Sequence, residues 1–296
     1  MVNTCLKQFI EYLQVQKRAS EYTLTNYRSD IEELFQWYQG ISPLEITQFD
    51  ARNYVTELTY LGLSDSTITR KVSSLRTFYQ FLVGKGEVSY NPFQLLKVPK
   101  VEVSTPTTLL EHELTNLFHA AGGPSPLDKR NRSILELLYA TGIRVSECVG
   151  LNISDYDDEI GTIRITGRGI RERYLPIGKA ANDALQFYLE HGRPEIISRY
   201  HRSQEKAMFL NYRGGRLTDR GVRVILNKLM ESASIHTNIS PHVIRHTFAT
   251  HMLEKGADLR TVQELLGLRN LASTQIYSNV TKDRIREVYR SFHPRA

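Results

Sequence analysis

Two cysteines in 296 residues, Cys5 and Cys148, are too few for a disulfide framework and too far apart for a metal-binding motif. A reducing compartment, the cytoplasm, is therefore the expected setting. No stretch approaches about 18 consecutive apolar residues, which excludes a transmembrane helix. The first thirteen residues intersperse Lys7, Gln8 and Glu11 among apolar positions, so no signal peptide is expected. Neither an internal repeat nor a low-complexity tract is present, which excludes a repeat array. What remains is the composition of an ordinary globular chain, 41% hydrophobic and 24% charged, and long enough for two cores rather than one.

The charge is basic, +6 overall, and unevenly placed. Residues 1–100 hold 11 Lys and Arg against 10 Asp and Glu, and the remainder holds 27 against 22. Such an excess suits a polyanionic partner, because Lys and Arg displace the counterions condensed on phosphate.

The first hundred residues read as four helices. Leu6, Phe9, Ile10 and Leu13 recur at steps of three and four. So do Leu24, Tyr27, Ile31, Leu34, Phe35 and Tyr38, between Ser20 and Gly40. Asp50 is placed to cap a short helix that Gly62 stops. A longer helix from about Ser66 buries Ile68, Val72, Leu75, Phe78, Tyr79 and Leu82. Its opposite face carries Arg70, Lys71, Ser74 and Thr77, which reads either as a solvated face or as a DNA-facing one. Asn91-Pro92 breaks the pattern, and residues 98–107, with two prolines and no periodicity, read as an extended linker.

Helices are expected again near Glu111 and over residues 128–140. Short alternating runs at residues 162–166 and 172–177 form a hairpin through Gly167-Arg168-Gly169-Ile170-Arg171. Further helices cover residues 180–189 and 219–232. Ser240-Pro241 starts another, which runs to Gly256. Asp258 caps one that ends at Gly267, and Thr281 begins the last, with Ile285, Val288 and Tyr289 as an apolar stripe that must bury somewhere.

Pro241-His242-Val243-Ile244-Arg245-His246 opens a helix, where residues three and four apart share a face. His242 and His246 have metal-ligand spacing, yet Val243 stands where a zinc protease needs glutamate and no third ligand clusters nearby. The other reading gives His242 and Arg245 to a phosphate, with arginine supplying a planar, permanently charged fork and the helix N-terminus a positive potential. A packing role remains a third possibility for a lone His-x-x-Arg.

Two more segments bear on the choice. Ala140-Thr141-Gly142-Ile143-Arg144-Val145-Ser146-Glu147 places an arginine at a helix start after a glycine turn, and Thr274-Gln275-Ile276-Tyr277-Ser278 places a tyrosine in a short polar segment far downstream. With the basic hairpin between them, these segments resemble the tyrosine recombinases of the phage-integrase family, most closely the Xer type. Arg245-His246-Thr247-Phe248-Ala249-Thr250-His251-Met252-Leu253 is similar to that family's second-arginine motif. Residues 256–267 are similar to the run leading to its nucleophile, and the terminal His293-Pro294-Arg295-Ala296 and the Thr23-Leu24-Thr25-Asn26-Tyr27-Arg28 segment also fit.

The resemblance implies a mainly α fold. An all-α, SAM-like core-binding domain over residues 1–97 would act as a DNA clamp. A linker at 98–107 would join it to an α+β catalytic domain over 108–296 with a small antiparallel sheet. It implies cleavage and rejoining of DNA through a 3′-phosphotyrosyl bond to Tyr277, with no metal or other cofactor. Arg144 and Arg245 would hold the nonbridging oxygens, and His242 would assist proton transfer. Glu147 would orient Arg144, although a surface or capping carboxylate is the other reading. His246 and His251 read as packing or surface residues, and Tyr289 as a packing one.

Two positions depart from the family pattern. Arg168 stands at the hairpin tip where lysine usually protonates the leaving 5′-oxygen, and arginine is a reluctant proton donor. Leu268 stands where a histidine usually donates to the phosphate; Arg269 follows it and is a candidate DNA contact beside Arg70, Lys71 and Ser74. The implied partner is duplex DNA with paired half-sites, bound by a homotetramer or a heterotetramer with a paralogue, with the last helix docked on a neighbouring protomer. Chromosome-dimer resolution and mobile-element integration both fit. The departures also motivate an alternative, a catalytically weakened DNA-binding accessory relative, and the His242–His246 spacing a third, a metal-dependent hydrolase.

Overall fold

The computed structural model describes residues 2–38, 42–98, 108–167, 170–235, 241–267 and 282–295. The chain forms two compact units, Met1–Ser104 and Thr105–Ala296, each with its own hydrophobic core. The expected linker at 98–107 lies almost wholly outside the described residues.

The first unit consists of α1 (Val2–Val15), α2 (Glu21–Trp37), α3 (Gln48–Tyr60) and α4 (Asp65–Gly84). Their starts are set by side-chain oxygens that satisfy otherwise unpaired amides: Ser20 accepts from the Thr23 N–H at 3.1 Å and Ser64 from that of Thr67 at 3.3 Å. At α3 the cap is Thr47 rather than the expected Asp50. Asp50 sits three residues in and reaches back to the Thr47 N–H at 2.8 Å, so the two form a reciprocal capping box. Phe9 is central to the core, with the Phe78 ring 5.2 Å and the Tyr27 ring 6.1 Å away.

The apolar stripe of α4 is buried as its spacing predicts, but the face opposite is not what the pattern suggested. Lys71 and Ser74 are buried, not presented to solvent or to DNA. The cause is Asp30 on α2, a carboxylate only 1% exposed, which could not stay buried unpaired. It accepts from Ser74 Oγ at 2.8 Å, Lys71 Nζ at 3.3 Å and Arg70 Nη1 at 2.5 Å, while Lys71 also meets Glu33 at 2.7 Å. Of the three expected DNA contacts on α4, Arg70 alone keeps a substantially exposed side chain, at 44%.

The second unit continues with α5 (Glu111–Ala120), α6 (Pro126–Thr141) and α7 (Val145–Gly150), then a 3-10 turn at Ile153–Asp155. A three-stranded antiparallel sheet follows in the order β1 (Tyr156–Asp157), β2 (Thr162–Gly167), β3 (Ile170–Pro176). The sheet buries Ile163, Ile165 and Leu175 on one side, with Ile163 opposite Leu175 and Ile165 opposite Arg173. Next come α8 (Gly178–His191), α9 (Arg193–Tyr200), α10 (Asp219–Ser232), α11 (Pro241–Glu254), α12 (Leu259–Leu266) and α13 (Lys282–Phe292). The two-residue β1 carries too few periods to register in the sequence, and α9, of eight residues, lacks the side-chain cap and glycine end that mark α12.

Helix α6 is the spine of this unit. Every residue from Ser133 to Thr141 is buried, as suits a helix surrounded by others. It also receives the C-terminal segment. Tyr289 is 1% exposed, His293 stacks on it at 4.7 Å, and Arg295 grips the buried Glu136 carboxylate at 3.0 and 2.6 Å. Within the single chain Tyr289 of α13 is thus buried in the second unit's own core. No described helix is long and apolar enough to cross a membrane.

Candidate active site

Two glycine turns and the first turns of a helix converge in the second unit. Helix α6 ends at Gly142, whose left-handed φ of 58° turns the chain so that Arg144 becomes the N-cap residue of α7. Helix α12, capped by Asp258 through the Thr261 N–H at 2.9 Å, ends at Gly267 with φ of 62°. Helix α11 carries His242 in its first turn and Arg245 one turn later. Ser240, expected to cap it, lies outside the described residues.

Arg245 ties these ends together. Its Nη1 donates to the Gly142 carbonyl at 2.5 Å and its Nη2 to that of Leu266 at 2.7 Å, so two helix C-termini supply acceptors that their own helices leave unused. Arg144 reaches the same place from the other side, its Nη2 3.4 Å from the Gly267 carbonyl and its Nη1 3.2 Å from Glu147 Oε1. Glu147 also accepts the Arg144 backbone N–H at 2.8 Å. A third guanidinium, Arg173 on β3, donates to both Glu147 oxygens at 3.0 and 2.8 Å. The sequence reading does not single out Arg173. The one available signal was its place on a strand of the basic hairpin.

Three guanidiniums against one carboxylate, bonded by two of them, leave a net positive centre. Burial, reinforced by the charges of Arg144 and Arg173 and opposed by Glu147, pushes Arg245 down to about 10, still cationic at neutral pH. Burial alone would raise the Glu147 carboxyl. The hydrogen bonds from Arg173 and the Arg144 amide, with the charges of both arginines, outweigh it and hold Glu147 below the usual carboxylate range. A partly buried cationic cluster of this kind is built to receive an anion with more than one oxygen.

The other expected site residues are distributed as follows. His242 is exposed on the opening turn of α11, His246 is half-buried, and His251 Nδ1 is hydrogen-bonded to the Tyr139 hydroxyl at 2.9 Å. Tyr277, Arg168, Leu268 and Arg269 lie outside the described residues. Among those described, no three His, Cys, Asp or Glu side chains are grouped to share a metal ion.

Gly142 gives a direct test of this arrangement. A Cβ there would stand 2.5 Å from Phe248 Cδ1 and 2.8 Å from Leu266 Cδ2, on a backbone already left-handed. Gly142→Ala is expected to cost about 2–5 kcal/mol, combining the left-handed penalty with overpacking. A thermal melt unchanged from the parent chain would show that the α6–α11 packing is looser than described.

Residues 107–284 match the phage integrase family and residues 6–86 the phage integrase N-terminal SAM-like domain. The chain is 48% identical over 291 residues to the tyrosine recombinase XerC of Oceanobacillus iheyensis, covering 97% of this chain and 95% of that protein. It is 46% identical over 298 residues to the tyrosine recombinase XerC of Bacillus subtilis, covering 100% and 98%. Among solved structures, XerA recombinase aligns over 100% of both chains at 28% identity and a TM-score of 0.51. The Tn1549 transposon integrase in complex with circular intermediate DNA aligns over 96% of this chain and 98% of its own at 20% identity and a TM-score of 0.70, a likeness of fold. The chain belongs to the phage integrase family. Within it, this is a tyrosine recombinase of the Xer type, an enzyme that breaks and rejoins DNA.

Proposed function

We propose that the enzyme recombines DNA at a specific site through a 3′-phosphotyrosyl intermediate on Tyr277, and that Arg144 and Arg245 bind the scissile phosphate. The observation that carries this reading is the cationic centre itself, where Arg144 and Arg173 bond the single carboxylate of Glu147 and Arg245, held by the Gly142 and Leu266 carbonyls, lies within reach of their charges.

A phosphodiester repels nucleophiles, and its pentacoordinate transition state concentrates further negative charge. Guanidiniums already oriented by Glu147, Gly142 and Leu266 meet that charge without reorganising. The Tyr277 oxygen forms a bond to phosphorus as its proton passes to a base, a role assigned to His242, which is exposed on the first turn of α11. The bond to the 5′-oxygen breaks, and that oxygen takes a proton, for which Arg168 stands at the position of the usual donor. Attack by a 5′-hydroxyl of a partner strand reverses these steps and releases Tyr277, so rejoining needs no external energy source.

On this reading the partner is duplex DNA with paired half-sites, bound by a homotetramer or a heterotetramer with a paralogue, in the cytoplasm. A solved relative of the same fold is a lambda integrase tetramer bound to a Holliday junction. The partly exposed side chain of Arg70 and the side chain of Arg269 are assigned to DNA contacts. Identity of 46–48% with XerC tyrosine recombinases along almost the whole chain supports chromosome-dimer resolution, with a role in chromosome partition and cell division, over mobile-element integration.

The test is covalent trapping. On a nicked substrate whose 5′ fragment diffuses away after cleavage, the protein is expected to accumulate an adduct that survives a denaturing gel and forms equally well in EDTA. Tight duplex binding with no adduct would favour the alternative of a weakened accessory relative. Strand cleavage without an adduct, lost in EDTA and restored by a divalent ion, would favour a metal-dependent hydrolase.

A further inference from the structure

We infer that Arg173 is a positioning residue for strand cleavage, acting through Glu147 to hold the guanidinium of Arg144 in place. The inference rests on the recombinase reading and adds to it a residue on the sheet.

The Arg173 side chain is 13% exposed and Glu147 6%, whereas Arg144 is 37% exposed. Arg144 is therefore the member of the trio that solvent, or a phosphate, can reach, and the two behind it form its mounting. A long side chain at that level of exposure samples several rotamers unless something removes them. Glu147 removes them for Arg144 by accepting both its backbone N–H at 2.8 Å and its Nη1 at 3.2 Å. A carboxylate does this only if it is itself fixed, and six residues of α7 are a short platform. Arg173 supplies the fixing. Its two Nη atoms bond the two Glu147 oxygens at 3.0 and 2.8 Å, the fork geometry that sets both the direction and the plane of the carboxylate.

A second contact closes the circuit. A Cβ added to Gly267 would lie 3.0 Å from both Cζ and Nη1 of Arg173, so the guanidinium packs directly on the turn that ends α12. The carbonyl of that same glycine is the acceptor 3.4 Å from Arg144 Nη2. Arg173 thus touches both groups that hold Arg144, Glu147 on one side and Gly267 on the other. It does so from β3, where it pairs with Ile165, so the sheet is linked to the phosphate-binding arginine through a single side chain. With both Nη atoms committed to Glu147, Arg173 is assigned no contact with DNA.

Arg173→Gln and Arg173→Lys in the full chain test this, with the nicked trapping substrate at saturating protein. Loose placement of a catalytic group by about 1 Å can cost ~10²-fold. Arg173→Gln is therefore expected to slow adduct formation ~10–100-fold while leaving the Kd for the same duplex within about twofold of the parent value. Arg173→Lys, which keeps the charge without the fork, is expected to fall between the two. The deciding measurement is a cycle with Arg144→Ala. If Arg173 acts through Arg144, adding Arg173→Gln to Arg144→Ala slows cleavage no further, whereas independent effects multiply. Multiplying effects, an unimpaired Arg173→Gln, or a loss of duplex affinity matching the loss of rate would overturn the inference. Should Arg173→Gln fail to fold, judged by its thermal melt, Arg173→Lys carries the same cycle. If the parent chain itself forms no adduct, the recombinase reading fails, and this inference with it.

Discussion

A chain carrying Tyr277→Phe is expected to form no covalent adduct on the trapping substrate while binding the same duplex as tightly as the parent. The substitution removes one oxygen, the one assigned to bond phosphorus, and a phenyl ring has nothing with which to replace it. Duplex affinity comes chiefly from phosphate neutralisation by basic side chains over a wide surface, which this change leaves intact. The effect on cleavage is therefore a complete loss, the largest expected of any single substitution here. Sixteen tyrosines make the assignment a real choice. Tyr289, the tyrosine of α13, is 1% exposed, stacks on His293 at 4.7 Å, and has its hydroxyl pushed well above its ordinary value by burial first and by Tyr139 and Glu136 next, so it is a poor nucleophile. An adduct that persisted undiminished in Tyr277→Phe would move the nucleophile to another tyrosine and sink the assignment.

Arg245→Ala is expected to have the next largest effect, slowing adduct formation by at least ~10²–10³-fold, the scale for removing one pre-oriented donor from a developing anion. Two consequences follow from its contacts rather than from its charge. The Gly142 and Leu266 carbonyls lose the donors now 2.5 and 2.7 Å away, and an unsatisfied buried carbonyl costs about 1–3 kcal/mol. The melting temperature should therefore fall together with the rate. Arg245→Lys separates the two contributions. An ammonium keeps the positive charge, but as a compact point charge it is poorly shaped to span two carbonyls on different helices. Its rate is expected to lie above that of the alanine variant while its melting temperature stays close to it. A lysine variant that cleaved at the parental rate would mean that the two-helix clamp does not matter to the chemistry, and the role given to Arg245 would reduce to its charge.

How much of this was legible beforehand depended on distance along the chain. Helix periodicity and caps act over three to seven residues, and they placed α1 through α4, the run of α10, the Asp258 cap and the Gly267 end of α12 close to where they stand. The order of the motifs likewise pointed to Arg144, His242 and Arg245 and to the family as a whole, because residue type and spacing survive in a linear reading. The burial of Lys71 and Ser74 did not survive it. The partner that takes them inward, Asp30, lies more than 40 residues upstream, and an amphipathic pattern cannot show that a polar flank has an acid waiting on the next helix. Arg173 was hidden for the same reason: strand alternation gives its face, but Glu147 is 26 residues away and Gly267 is farther still. The partners of Arg245 are 103 and 21 residues distant. Local chemistry thus determined the elements and pointed to the candidate side chains. Only the folded chain decided which carbonyls and carboxylates orient them, because a guanidinium takes its direction from acceptors that folding brings within hydrogen-bonding distance, whatever their separation in sequence.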